Sequence, residues 1–274
     1  MKIVLAKTAG FCKGVEKAVT KAMQPPINSR CVLGSLVHND EVIATLEKQG
    51  ISFEKEPKNE FSEFVISAHG IPSFVCEKLK GKTVLDATCP NVRKLFSVSS
   101  RCKDDVCLIL IGNEEHVEIV NALSYADNCL CLPNDHVDEK LLSRIAKTDF
   151  TKFILAFQTT TAREIADEYS KRIKQVLGDK VEIADTLCFA VEKRVREAVE
   201  IAKQVETMIV IGDRKSANCK TIFEECKKVS GSVFFVESPI DLPFLDVESV
   251  GVTAGASVPD SQIERIIEAL KGKK

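Results

Sequence analysis

The chain has 274 residues, 45% hydrophobic and 28% charged, with a formal net charge of −2. That length supports one large core or two to three small ones, and the near-zero charge argues against a general nucleic-acid or anionic-membrane surface. The 11 cysteines are odd in number and widely spaced, which suits a reducing compartment better than a disulfide framework. No apolar run approaches bilayer-spanning length, and the N-terminus reads as a strand without a signal-peptide core, so a cytoplasmic protein is expected.

One unit recurs along the chain: a short β-branched run, a polar loop, then an amphipathic helix. The first three strand patterns are Ile3–Leu5, leading to Cys12, Cys31–Leu36, leading to Val37-His38-Asn39, and Phe64–Ser67, leading to Ala68-His69-Gly70. The next three are Thr83–Asp86, leading to Cys89, Cys107–Ile111, leading to Gly112 through His116, and Phe153–Ala156, leading to Gln158-Thr159-Thr160. The last three are Val181–Ala184, leading to Cys188, Met208–Ile211, leading to Gly212 through Asn218, and Ser249–Thr253, leading to Ala254 through Ser257. Runs at Ile51–Phe53, Asn128–Leu132 and Val233–Val236 can each add an edge strand.

Helix signals follow the loops. Asn39 or Asp40 caps a segment ending at Gly50, Asn91–Arg101 follows Cys89, Thr160 or Thr161 precedes a helix stopped by Gly178, and Pro259 opens a final helix over Asp260–Leu270. Alternating strands and helices predict parallel sheets with right-handed crossovers. The nine loops form three sets of three, each beginning with a cysteine. The expectation is therefore an α/β protein of three small parallel-sheet domains, over 1–82, 83–180 and 181–274, in a pseudo-threefold trefoil. Ligands of such sheets bind at the carboxyl ends of the strands, which would bring the nine loops to a central site.

Cys12, Cys89 and Cys188 each stand between a strand and a helix N-terminus, a setting that suits a thiolate ligand. They lack the close pairing of structural zinc sites. Three spread ligands suit a metal or an iron–sulfur cluster with one open position; the alternative is three unrelated buried thiols. Three of the four histidines, His38, His69 and His116, lie at strand ends. With Thr159, Thr160, Ser216, Asn218, Ser257 and helix N-termini, they can form a diphosphate site without a Walker-type loop. Glu118 is either a proton donor of raised pKa or an ordinary first-turn glutamate. Cys102, Cys107, Cys129 and Cys131 read as buried hydrophobes rather than a zinc site.

Six pieces then come together in order: Ala9-Gly10-Phe11-Cys12, Val37-His38-Asn39, Ser67-Ala68-His69-Gly70, Asp86-Ala87-Thr88-Cys89-Pro90, Gln158-Thr159-Thr160 and Thr253-Ala254-Gly255-Ala256-Ser257. With them the chain resembles the 4-hydroxy-3-methylbut-2-enyl diphosphate reductase family, which closes the methylerythritol phosphate route to isoprenoids. The resemblance implies the trefoil fold and one 4Fe–4S cluster held by Cys12, Cys89 and Cys188. It implies that His38, His69, Ser216, Asn218 and Ser257 hold the diphosphate, that His116 lies close to the substrate, and that Glu118 and Thr159 deliver protons. The implied reaction is reductive dehydroxylation to isopentenyl and dimethylallyl diphosphates, with ferredoxin or flavodoxin as electron donor. A monomer or weak homodimer is expected, with no nucleic-acid or membrane partner.

The sequence departs from the family pattern at several points. Glu115-His116-Val117-Glu118 replaces Gly-His-Pro-Glu, and Ser216-Ala217-Asn218, beside Lys215, replaces Ser-Ser-Asn. Phe189 and Val191 stand where Tyr and Thr are common, and many members continue past the last helix. These changes leave two other readings open: a non-redox hydro-lyase using the same cluster, or a cluster carrier.

Overall fold

A computed structural model of the chain describes residues 1–25, 29–34, 36–37, 39–135, 139–145, 147–214 and 216–272. In chain order the elements are β1 (Lys2–Leu5), α1 (Lys13–Met23), β2 (Arg30–Leu33), α2 (Asp40–Lys48), β3 (Ser52–Glu54), β4 (Glu63–Ile66), α3 (Ser73–Lys78), β5 (Thr83–Asp86), α4 (Pro90–Ser99), β6 (Val106–Ile111) and α5 (Val117–Leu123). They continue with β7 (Cys129–Leu132), α6 (Glu139–Ile145), β8 (Lys152–Phe157), α7 (Arg163–Leu177), β9 (Val181–Ile183), α8 (Phe189–Ala202), β10 (Thr207–Ile211), α9 (Ala217–Lys227), β11 (Val233–Val236), β12 (Ser249–Ala254) and α10 (Asp260–Gly272).

The strands form three parallel four-stranded sheets, ordered β1-β12-β10-β11, β3-β2-β4-β5 and β7-β6-β8-β9. The expectation of a parallel α/β protein with three sheets is met. All nine strand patterns form strands, and the three supplementary runs form β3, β7 and β11, each at an edge.

The contacts divide the chain into two compact units. One holds Met1–Ile27, Ser35–Ile51 and Phe189–Lys274, and the other holds Asn28–Gly34 and Ser52–Cys188. The first unit contains the sheet built on β10 and β12. Met208 and Val210 face a cluster that includes Ala198 and Ile222, while Ile209 and Ile211 face one that includes Ile263 and Ile266. Apolar cover on both faces explains why β10 reads as an unbroken hydrophobic run. The second unit contains the other two sheets. In the β6 sheet, Ile109 and Ile111 pack with Tyr169 and Ile173, and Leu108 and Leu110 pack with Leu95 and Ile119.

Sequence order alone groups β1, β5 and β9 with the strands that follow them. The sheets assign them differently: β5 pairs with β4, β9 with β8, and β1 with β12. These three strands are short and carry partly exposed residues, as edge strands do, whereas central β6, β8 and β10 are almost wholly buried. The loops bearing Cys12, Cys89 and Cys188 therefore all leave edge strands. The helix expected after Thr160 or Thr161 is α7, with Ala162 as its N-cap and Gly178 at its end. At α2 the expected cap is present, with the Asn39 side chain accepting from Val42 N–H at 3.1 Å. No described helix is long and apolar enough to cross a membrane.

Candidate functional site

In the second unit, six of the expected residues lie on one closed circuit of contacts. Cys89 is the N-cap of α4, and its N–H donates to the Ala68 carbonyl at 3.0 Å. The next residue, His69, sets its ring edge-on to His116, with centroids 6.1 Å apart. His116 caps α5 through Nδ1, which accepts from Glu118 N–H at 3.2 Å. The Glu118 carboxyl accepts from Thr159 N–H at 2.7 Å and from Thr159 Oγ1 at 2.8 Å. The Thr159 carbonyl accepts from Cys188 N–H at 2.9 Å. Asn91 closes the circuit by donating Nδ2 to the Cys188 sulfur at 3.0 Å from the first turn of α4.

Glu118 is only 2% exposed. Burial pushes its carboxyl above the usual range, and the two Thr159 hydrogen bonds only partly oppose this. The sign for stability follows from linkage. A folded-state pKa above the unfolded one gives a contribution that is full below the ordinary carboxylate range and is lost as pH rises through the raised value. Wild-type stability, measured by urea titration against Glu118→Gln, should therefore fall relative to the variant as pH rises; a constant difference would refute the burial argument.

Two further side chains support this circuit and had no role in the sequence reading. Asn121 Nδ2 donates to the His69 and Gly70 carbonyls, both at 3.1 Å, and Gln158 Oε1 accepts from Asn113 N–H at 3.0 Å. Asn91, the third omission, sits two residues from Cys89. Gln158 directly follows the apolar run of β8 and Asn121 lies on a largely apolar helix, a signal that could have found both; Asn91 carries no such signal.

The first unit holds Cys12, Ser216, Asn218 and Ser257. Cys12 is the N-cap of α1, and its N–H donates to the Ala256 carbonyl at 3.2 Å. Ser216 caps α9 by accepting from Cys219 N–H, which leaves its hydroxyl proton available to donate. Asn218 is buried, and neither atom of its side-chain amide has a partner among the described residues. Buried amides are normally paired, so this one is poised for a ligand or water. Gly212 and Gly255 make room for Cys219, since a Cβ on either would collide with its sulfur. This brings α9 close against the ends of β10 and β12. His38 and Lys215 lie outside the described residues.

Most of the remaining cysteines behave as buried hydrophobes. Burial pushes Cys31, Cys102, Cys131 and Cys219 up to about 11, and Cys107 and Cys226 up to about 12. Among the described residues, no three His, Cys, Asp or Glu side chains are grouped to hold a single metal ion. A cubane cluster spaces its thiolates more widely than one ion does. The amide N–H bond to the Cys188 sulfur is of the kind that tunes iron–sulfur centres. Helix-capping Cys89 and amide-bonded Cys188, in one unit, fit such a group.

A parallel α/β scaffold with loops converging from strand ends and a buried carboxyl–hydroxyl pair has the layout of an α/β enzyme. Residues 3–271 match the family described as LytB protein, and the chain belongs to that family. Relatives named 4-hydroxy-3-methylbut-2-enyl diphosphate reductase include that of Desulfovibrio desulfuricans, 33% identical over 96% of this chain and 97% of its own length. That of Thermotoga maritima is 33% identical over 99% and 96%. The Fusobacterium nucleatum relative of the same name is 33% identical, and this chain spans 34% of its length. A solved structure of (E)-4-hydroxy-3-methyl-but-2-enyl diphosphate reductase aligns at TM-score 0.71 and 26% identity, covering 99% of this chain and all of the other. The Plasmodium falciparum reductase aligns at 0.84 and 25% identity, covering 98% of this chain and 88% of the other.

Proposed function

We propose that the chain reduces 4-hydroxy-3-methylbut-2-enyl diphosphate to isopentenyl and dimethylallyl diphosphates, the terminal step of non-mevalonate isoprenoid synthesis. It is an oxidoreductase of that pathway, as its family membership requires. The observation that carries the mechanism is the buried Glu118–Thr159 pair on the same circuit as Cys89 and Cys188.

The reaction consumes two electrons and two protons, breaks the C4–oxygen bond, releases water and places one proton on the allylic carbon skeleton. A 4Fe–4S cluster held by Cys12, Cys89 and Cys188, fed by ferredoxin or flavodoxin, would supply the electrons and a Lewis-acid position for the hydroxyl. Glu118 stores a proton. When its carboxylate is charged, Thr159 Oγ1 donates to it. When Glu118 is protonated, the bond reverses and the Thr159 hydroxyl is free to donate toward substrate. Two short bonds hold this relay in a dry setting, so the proton is kept from bulk water until substrate arrives.

His38, His69, Ser216, Asn218 and Ser257 hold the diphosphate in this reading, and His116 lines the substrate beside Glu118. The unpartnered amide of Asn218 and the free donor capacity of Ser216 support that assignment. Loss of a hydroxyl at Ala217 removes one donor, and Lys215 compensates by charge. The protein works in the cytoplasm as a monomer or weak homodimer.

The test is anaerobic reconstitution with iron and sulfide, followed by addition of substrate and a low-potential reductant. Both C5 diphosphates should appear, and only with reductant. A bound cluster without turnover would overturn the proposal, and water loss without reductant would favour a hydro-lyase.

A further inference from the structure

The helix that follows Cys188 grips two loops of the first unit. On α8, Glu197 accepts three hydrogen bonds: from Lys7 N–H at 2.9 Å, Thr8 N–H at 2.9 Å and Thr8 Oγ1 at 2.6 Å. Lys7 and Thr8 belong to the loop that carries Cys12. One turn earlier on the same helix, buried Arg194 donates Nη1 to the Ala254 carbonyl at 2.5 Å. Ala254 ends β12 and opens the loop to Ser257. The two loops are joined directly, because Cys12 N–H donates to the Ala256 carbonyl. Glu197, Thr8, Cys12, Ala256, Ala254 and Arg194 thus form a second closed circuit, anchored on one rigid helix.

We propose that Glu197 and Arg194 are positioning residues that fix the Cys12 sulfur and the Ser257 hydroxyl relative to each other. The proposal rests on the reading of Cys12 as a cluster ligand and Ser257 as a diphosphate ligand. Its physical basis is the number and kind of bonds. Three donors converge on one carboxylate, and charge-assisted bonds are roughly twice as strong as neutral ones. Burial alone would raise the Glu197 carboxyl, but the Thr8 and Lys7 bonds outweigh it and hold the group below the usual range. On the other side, a guanidinium bonded to a main-chain carbonyl holds backbone rather than a mobile side chain. A loop held at Thr8 and again at the Cys12 N–H has little backbone freedom left at the residue that carries the sulfur. Neither residue touches substrate or the reacting atoms in this arrangement, and their effect passes through the loops.

The experiment reads Cys12 directly. The full chain is treated with iodoacetamide before and after cluster reconstitution, and alkylation at Cys12, Cys89 and Cys188 is followed by mass spectrometry. Before reconstitution, Glu197→Ala should speed alkylation of Cys12 by about tenfold, and Thr8→Ala, which removes one bond, by about threefold. Cys89 and Cys188 should stay within about twofold of wild type, since local loosening acts only on the gripped segment. After reconstitution, the same variants should lose iron to a chelator faster in the order Glu197→Ala, Thr8→Ala, wild type. Arg194→Lys, which keeps a donor, should raise the substrate KM less than Arg194→Met. Unchanged Cys12 alkylation in both Glu197→Ala and Thr8→Ala, with the thermal midpoint retained, would overturn the proposal. Thr8→Ala keeps the test decisive if Glu197→Ala fails to fold. The first arm needs no bound cluster, so a failure of the reductase reading appears separately, as absent turnover in wild type.

Discussion

Glu118→Gln should bind the cluster and substrate yet turn over about a hundred- to ten-thousandfold more slowly, the range expected on removing a positioned general acid. The substitution is close to isosteric. A glutamine oxygen still accepts from Thr159 N–H, and its amide can donate to Thr159 Oγ1, so both bonds seen at 2.7 and 2.8 Å keep a counterpart. What disappears is the proton. The buried carboxyl, raised by its apolar setting, holds one at pH values where an exposed glutamate would have lost it. Glutamine has none to give: the Thr159 hydroxyl can still donate its own proton, but nothing behind it can replace that proton once it is passed on. The check is single-turnover kinetics under anaerobic conditions alongside the visible spectrum of the cluster. A slow variant with an unchanged spectrum fits the relay. Full activity in Glu118→Gln would move the proton source elsewhere.

Gly70→Ala should destabilise the chain by about 2–5 kcal/mol, summing ~1–3 for overpacking and ~1–2 for a left-handed backbone. Gly70 has a φ of 69°, and a Cβ there would strike the ring of Phe96. That ring cannot swing aside cheaply, because it stacks on Tyr125 with centroids 4.8 Å apart. Tyr125 is itself tied to the Ile71 carbonyl at 3.0 Å. The same substitution should disturb His69, whose carbonyl shares Asn121 with that of Gly70. Urea titration would give the stability loss and steady-state kinetics the accompanying rise in KM. Wild-type stability in Gly70→Ala would mean that α4 yields more readily than its packing implies.

Local features of this fold were legible in the sequence because they rest on local physics. The cap at Asn39, the glycine stop at Gly178 and the cysteines ahead of α1, α4 and α8 depend on residues a few positions apart. Glu118 was recognisable as a possible acid from its place beside His116, and the family resemblance joined it to Thr159, but no local pattern carries its burial or that bond, since 41 residues separate the two partners. The assignment of β1, β5 and β9 to their sheets was hidden for the same reason: parallel pairing is a long-range choice, and periodicity carries no register. Asn91, Arg194 and Glu197 were missed because amides and charges on helices ordinarily face water. Their partners are a sulfur, a main-chain carbonyl and a distant loop, none of which a pattern of apolar residues announces.

The pairing of β1 with β12 constrains the order in which the protein can fold. Lys2 lies beside Ser249 in the finished sheet, so β1 finds its neighbour only after β12 has emerged. The β6 sheet, by contrast, draws on one continuous stretch and can close early. During translation β1 therefore stays unpaired while the sheet of β7, β6, β8 and β9 can already be formed. Vectorial synthesis therefore lets the β6 sheet close before the β1–β12 seam, which needs a partner strand from far along the chain.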